Sequence, residues 1–164
     1  MVMMVNKEEN DELLTRLPPL PGTYALVLRF SRRLEILVGR LGTLEVQPGI
    51  YVYVGSALGP GGLTARVGRH CRREKRLRWH VDYLCEASQV EQVWFATGKS
   101  RWECRWANVL QSLSGASVPM AGFGASDCRC LSHLHFFKMP PSLAMFRRKL
   151  NGPMIDRLRL AAAE

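Results

Sequence analysis

Residues 49–56, Gly49-Ile50-Tyr51-Val52-Tyr53-Val54-Gly55-Ser56, constrain the fold of this chain more than any other stretch. Five consecutive β-branched or aromatic residues between glycines favour an extended backbone over a helix. Alternation puts Tyr51, Tyr53 and Gly55 on one face of that strand and Ile50, Val52 and Val54 on the other. The Ile/Val face belongs on a core. The opposite face carries two phenol hydroxyls and ends where the chain opens into Gly59-Pro60-Gly61-Gly62. A basic segment follows, Arg66 to Arg78, in which seven of thirteen positions are Lys or Arg. Cations packed that densely repel one another unless solvent or an anion screens them. Arginine suits planar, bidentate contact with phosphate oxygens, so strand, glycine turn and basic helix together suit a phosphate site.

The other elements are read around this strand. Residues 8–16 admit a helical turn or more before the prolines at 18, 19 and 21 stop it. Residues 23–30 and 34–38 read as strands joined by a turn, an expected hairpin, with a short extended piece at 43–46. Residues 63–76 read as a helix, 79–85 as a short helix or turn, and 90–97 as a strand. Residues 100–113 read as a helix with Ser100 as N-cap and Glu103 three positions on, the capping-box spacing. A Gly/Ser/Ala-rich loop spans 115–132, a last strand 133–138, and appended basic helices 142–150 and 154–163. The expected fold class is α+β: a small, mostly antiparallel sheet flanked by helices. The expected division is an N-terminal extension (1–19), one domain (20–138) and a basic helical C-terminal tail (139–164).

Formal net charge is +9, which points to an anionic partner, nucleic acid before an acidic membrane. No stretch approaches the roughly 20 apolar residues that span a bilayer. Five cysteines, an odd count without a secretory start, point to reduced thiols in the cytoplasm.

Four groups of residues carry candidate chemistry, each with a plainer alternative. Tyr24 and Tyr53 each stand near a glycine on a strand and could meet at one spot, where nearby cations would lower a phenol pKa; tyrosine is also simply a good strand residue. Arg66, Arg69 and His70 share one helix face, which is either a phosphate clamp or a solvated surface. Glu103 is either a helix cap or a ligand for a loosely held Mg²⁺. Cys128, Cys130, His133 and His135 bring four soft or borderline ligands together. Their Cys-x-Cys spacing lacks the usual zinc knuckle, so zinc is not the expected reading, and local hydrogen bonds from Asp127 and the serines are expected to order that loop. His80 and Asp82, two apart, are read as structural or as a substrate wall.

Taken together, these residues resemble the GIY-YIG nuclease superfamily, most closely its uncharacterised branch that is sometimes joined to endonuclease III. The resemblance rests on Pro21-Gly22-Thr23-Tyr24, Tyr51 to Ala57, Gly59 to Leu63, Arg69-His70, Trp79 to Leu84, Glu103-Cys104 and Gly124 to Leu134. Gly49-Ile50-Tyr51 spells the superfamily's first motif but shares a strand with Tyr53, so Gly22-Thr23-Tyr24 is the better match. The interval between Tyr24 and Tyr53 requires an inserted hairpin. The resemblance implies a three-stranded antiparallel sheet and single-metal phosphodiester hydrolysis. Tyr24, Tyr53, Arg66, His70 and Glu103 would be catalytic, and Glu103 would hold Mg²⁺ or Mn²⁺. Arg69, Arg72, Arg73, Lys75, Arg76 and Arg78 would clamp the backbone of a nucleic acid, DNA first. The expected function is a metal-dependent nucleic-acid phosphodiesterase in DNA repair or processing. The alternatives are an inactive nucleic-acid-binding module of the same fold and a protein-interaction domain.

Overall fold

A computed structural model describes residues 7–72, 74–152 and 154–160. Its elements in order are α1 (Lys7–Leu14), β1 (Gly22–Phe30), β2 (Leu34–Val38), β3 (Gly42–Val46), β4 (Gly49–Ala57), α2 (Gly62–Cys71), α3 (His80–Ala87), β5 (Gln89–Thr97), α4 (Glu103–Ser112), β6 (Leu134–Phe137), α5 (Leu143–Leu150) and β7 (Asp156–Arg159). Five strands form one antiparallel sheet in the order β6-β4-β1-β5-β7, and β2 and β3 form a second, two-stranded sheet. The α+β class expected from the sequence is what the chain adopts, with a wider main sheet than three strands.

Both faces of the sheet are covered. On one side Tyr24, Leu26, Leu28, Tyr51 and Tyr53 pack under Leu63 and Val67 of α2, Val81 and Leu84 of α3, and Ile36, Val38, Leu44 and Val46 of the β2–β3 hairpin. On the other, Ala25, Val27, Ile50, Val52, Val54 and Trp94 pack under Trp106 and Leu110 of α4 and Phe146 and Leu150 of α5. Each fully buried Val, Leu, Ile or Phe side chain among these contributes about 1.5–3 kcal/mol. The tyrosine face of β4 is therefore largely core, and its Gly55 end opens to a pocket lined by Tyr53 and Ser56.

Three expectations about elements are corrected. β2 does not pair with β1, because β4 and β5 already occupy both edges of β1 from Gly22 onward. β2 pairs instead with β3, and that pair is the insertion between Tyr24 and Tyr53. The helix expected over 63–76 ends at Cys71, where Arg72 turns extended and Lys75 Nζ donates to the carbonyls of His70 (2.7 Å) and Arg72 (2.6 Å). The second helix expected at 154–163 is, within the described residues, strand β7; Leu158 pairs opposite Val93 while Asp156, Arg157 and Arg159 stay exposed. The preceding α5 is no loose appendage, since Phe146 and Leu150 are buried in the second core. Among the described residues no helix is long and apolar enough to cross a membrane.

Candidate functional site

At the glycine end of β1 and β4, α2 lies over one face of the sheet while the first turn of α4 reaches the same place from the other. Tyr24, Tyr53, Ser56, Arg66, His70, Arg78, Trp79, His80, Glu103, Gly124, Ser126 and Asp127 line one pocket there, of about 270 Å³. All five residues expected to be catalytic thus share a single cavity.

Backbone geometry explains how the two tyrosines meet. β1 and β4 pair with Tyr24 opposite Gly55, and a Cβ on Gly55 would sit 2.5 Å from the Tyr24 hydroxyl. The missing side chain is the space the Tyr24 phenol occupies. Gly124, at φ 68°, presses against Tyr53 in the same way, a Cβ there lying 2.8 Å from that ring. The Tyr24 and Tyr53 ring centroids are 6.5 Å apart.

A buried hydrogen-bond chain runs behind Tyr24. The Tyr24 hydroxyl lies 2.7 Å from His70 Nε2, and His70 Nδ1 lies 3.1 Å from Asp82 Oδ1. The Asp82 carboxylate is fully buried and accepts hydrogen bonds from the backbone N–H groups of Arg78 (2.8 Å) and Trp79 (2.9 Å) and from the Arg69 guanidinium (3.0 and 3.1 Å). Burial alone would push its carboxyl pKa up, but His70 and these donors outweigh it and hold the pKa well below the usual range. An ionised Asp82 makes His70 carry its proton on Nδ1 and leaves Nε2 to accept from Tyr24. Burial lowers the His70 pKa despite the pull of Asp82, so the ring is neutral near pH 7. Burial, with Tyr53 beside it, raises the Tyr24 pKa well above 10, and burial with the Glu103 charge raises that of Tyr53.

Cations gather on Trp79. The guanidinium groups of Arg66, Arg69 and Arg78 lie 4.4, 4.2 and 5.3 Å from its ring centre. Arg66 and Arg78 also line the pocket. Arg69 has its guanidinium bonded to Asp82 and to the Arg76 carbonyl (2.7 Å), and Lys75 caps the end of α2, so both brace the fold. Arg72 and Arg76 are exposed, and Arg73 lies outside the described residues.

Glu103 is not the cap that the Ser100 spacing suggests. α4 begins at Glu103 with Trp102 at its N-cap and no side-chain cap bond, which leaves the carboxylate free to face the pocket. Oε2 of Glu103 is 3.5 Å from His133 Nδ1. Burial would raise its pKa, yet His133 and Ser56 beside it hold it below the ordinary value.

Beside Glu103 the donor set read from the local spacing changes. Cys104, Cys128, Cys130 and His133 bring four donor atoms within 4.8 Å of one another, a cluster that could hold a metal ion. The donor missing from the local spacing is Cys104, brought in by α4. His135 is not in the group; its ring is buried in β6 with neither nitrogen hydrogen-bonded.

Asp82 and Cys104 are the residues of this region whose partners local spacing passed over. Asp82 was set beside His80, but its partner is His70 on the preceding helix, while His80 Nδ1 accepts from the Gly124 N–H at 2.9 Å. Only the packing of α3 on α2 reveals the pairing.

No curated protein and no solved structure matches the chain. The family model that matches covers residues 23–152 and is described as "Domain of unknown function DUF123". It corrects the expected membership of the GIY-YIG superfamily, because DUF123 is a distinct family and no GIY-YIG family matches.

Proposed function

From the premise that the chain belongs to the DUF123 family, whose function its description leaves open, we propose that the pocket hydrolyses phosphodiester bonds in nucleic acid with the help of a divalent cation. The observation that carries this reading is the Tyr24–His70–Asp82 chain ending in a cavity shared with Arg66 and Glu103. A water molecule attacks phosphorus as its proton passes to the Tyr24 oxygen and the Tyr24 proton passes to His70 Nε2. The Asp82 carboxylate stabilises the imidazolium that forms. The bond to the leaving oxygen breaks, and that oxygen takes a proton from solvent. Arg66 faces the charge that builds on the phosphoryl oxygens, and Arg78 widens the cationic wall.

The donor set fits a hard cation: Glu103 and Asp127 bring carboxylates, and no sulfur among the described residues lines the cavity. Mg²⁺ or Mn²⁺ held by Glu103 would supply Lewis-acid charge at the phosphate.

Supercoiled and branched DNA incubated with the protein and Mg²⁺ or Mn²⁺ tests the reading. Cleavage is expected, with a loss of roughly 10²–10⁴-fold in Tyr24→Phe and His70→Gln and abolition in Glu103→Ala. Cutting that survives Glu103→Ala overturns it. One observation favours a second reading, binding without cleavage: both pocket phenols have pKa values raised by burial and so hold their protons. That reading expects salt-sensitive binding and intact DNA in every metal.

A further inference from the structure

We propose that Cys104, Cys128, Cys130 and His133 are the ligands of a closed, zinc-class structural site that fastens the segment before β6 to the first turn of α4 and sets the orientation of Glu103. The inference goes beyond the phosphodiesterase reading and does not depend on it.

The four donor atoms lie close enough together for one ion to reach them all. His133 Nε2 lies 3.4 Å from Cys128 Sγ and 3.9 Å from Cys104 Sγ, with all four donors within 4.8 Å of one another. Zinc–sulfur and zinc–nitrogen bonds of about 2.3 and 2.0–2.1 Å place tetrahedral ligands about 3.5–3.8 Å apart. Three thiolates and an imidazole form a soft set that selects zinc over magnesium or calcium. Four protein donors leave no open position, which makes the site structural rather than hydrolytic.

The second nitrogen of His133 ties this site to the pocket. Nδ1 is buried, makes no other hydrogen bond, and faces Glu103 Oε2 at 3.5 Å. With Nε2 on the metal, the proton must sit on Nδ1 and point at that carboxylate, the common arrangement of a carboxylate behind a metal-bound histidine. The segment so fastened also builds the pocket. Gly122 N–H donates to the Leu131 carbonyl (2.7 Å) and His133 N–H to the Phe123 carbonyl (2.8 Å), and the turn between supplies Gly124, Ser126 and Asp127 to the cavity wall. One ion thereby fixes both that wall and Glu103, the residue next to Cys104.

The test uses the full chain purified under reducing conditions without chelator. Elemental analysis is expected to find one zinc per chain. Replacement by Co²⁺ is expected to give the strong visible absorption of a tetrahedral thiolate site, a measurement on the unaltered protein that holds even where variants fail to fold. Cys128→Ser and Cys130→Ser should lose stoichiometric metal, whereas Cys71→Ser and Cys85→Ser should keep it. Glu103→Gln should keep the metal but bind it roughly 10–100-fold more weakly. A protein that takes up neither zinc nor cobalt, a pale octahedral cobalt spectrum, a disulfide among the three cysteines, or a Cys71→Ser variant as metal-poor as Cys130→Ser overturns the proposal. None of these readouts uses cleavage, so a nuclease assay that fails leaves the metal result standing on its own.

Discussion

At the scale of the residue, the pocket depends on an atom that is missing. A methyl group on Gly55 would collide with the Tyr24 hydroxyl, which is already fixed by His70. Gly55→Ala should therefore lower stability by about 1–3 kcal/mol, as overpacking does, and a urea titration reads it directly. Asp82→Ala should cost roughly 3–5 kcal/mol, because it strips a partly buried Arg69 of its counter-charge and His70 of its partner. The lowered pKa of His70 has a pH signature. Unfolded chains bind a proton at this histidine below about pH 6.5 while the folded protein still resists it, so stability falls as pH drops from 6.5 towards the folded pKa, by at most about 1.4 kcal/mol per pH unit. Asp82, Arg66, Arg69, Tyr24, Tyr53 and Trp79 face this ring from α3, α2, β1, β4 and the turn between the helices, and Asp82 keeps its charge throughout that range. His70→Gln should flatten the decline between pH 7 and pH 5 in paired denaturation curves. The convergence of Tyr24, Tyr53, Arg66, His70 and Glu103 on one pocket was legible because each sits at a local landmark: a strand end, a helix face or a helix start. Asp82 and Cys104 were not, because what gives them meaning is a partner on another element. The commitment of Arg69 and Lys75 to internal contacts was equally hidden, since a run of cations reads the same whether it faces solvent or its own backbone.

At the scale of the element, β4 was the most legible part of the chain because its residues favour one conformation and alternate cleanly. The pairing of β2 was misread because adjacency in sequence suggests a hairpin, whereas β1 has both edges taken by β4 and β5. The segment of β7 reads as helix because its four residues, Asp156-Arg157-Leu158-Arg159, are too few for either period to declare itself; its pairing with β5 decides the matter. A consequence can be measured. Removing residues 153–164 takes away Ile155, Leu158 and Leu160 from the cores and leaves β5 as an open edge. That truncation should lower the urea midpoint and raise light scattering, while Pro substitution in the exposed segment 31–33 should do neither. α4 is the other decisive element. Trp106 is fully buried between the sheet and Phe146, and Trp106→Ala should cost about 3–5 kcal/mol.

At the scale of the whole molecule, a net charge of +9 makes ionic strength the informative variable. On the nucleic-acid reading, log K should fall linearly with log salt, with a slope of about −0.9 per phosphate contacted on duplex DNA. Arg72→Gln and Arg76→Gln, at exposed positions, should each reduce that slope by about one unit without changing sequence preference. Titrations of labelled duplex at several salt concentrations measure it. The sheet order has a different bearing, on the chain while it is being made. β4, β1 and β5, the centre of the sheet, have all emerged by Thr97, but β6 and β7, which flank them, come only from residues 134–159. For the time needed to synthesise those last segments, a nascent chain holds a sheet with both margins bare. A sheet that formed before residues 134–159 are made would keep unpaired edges for longer than one closed in sequence order.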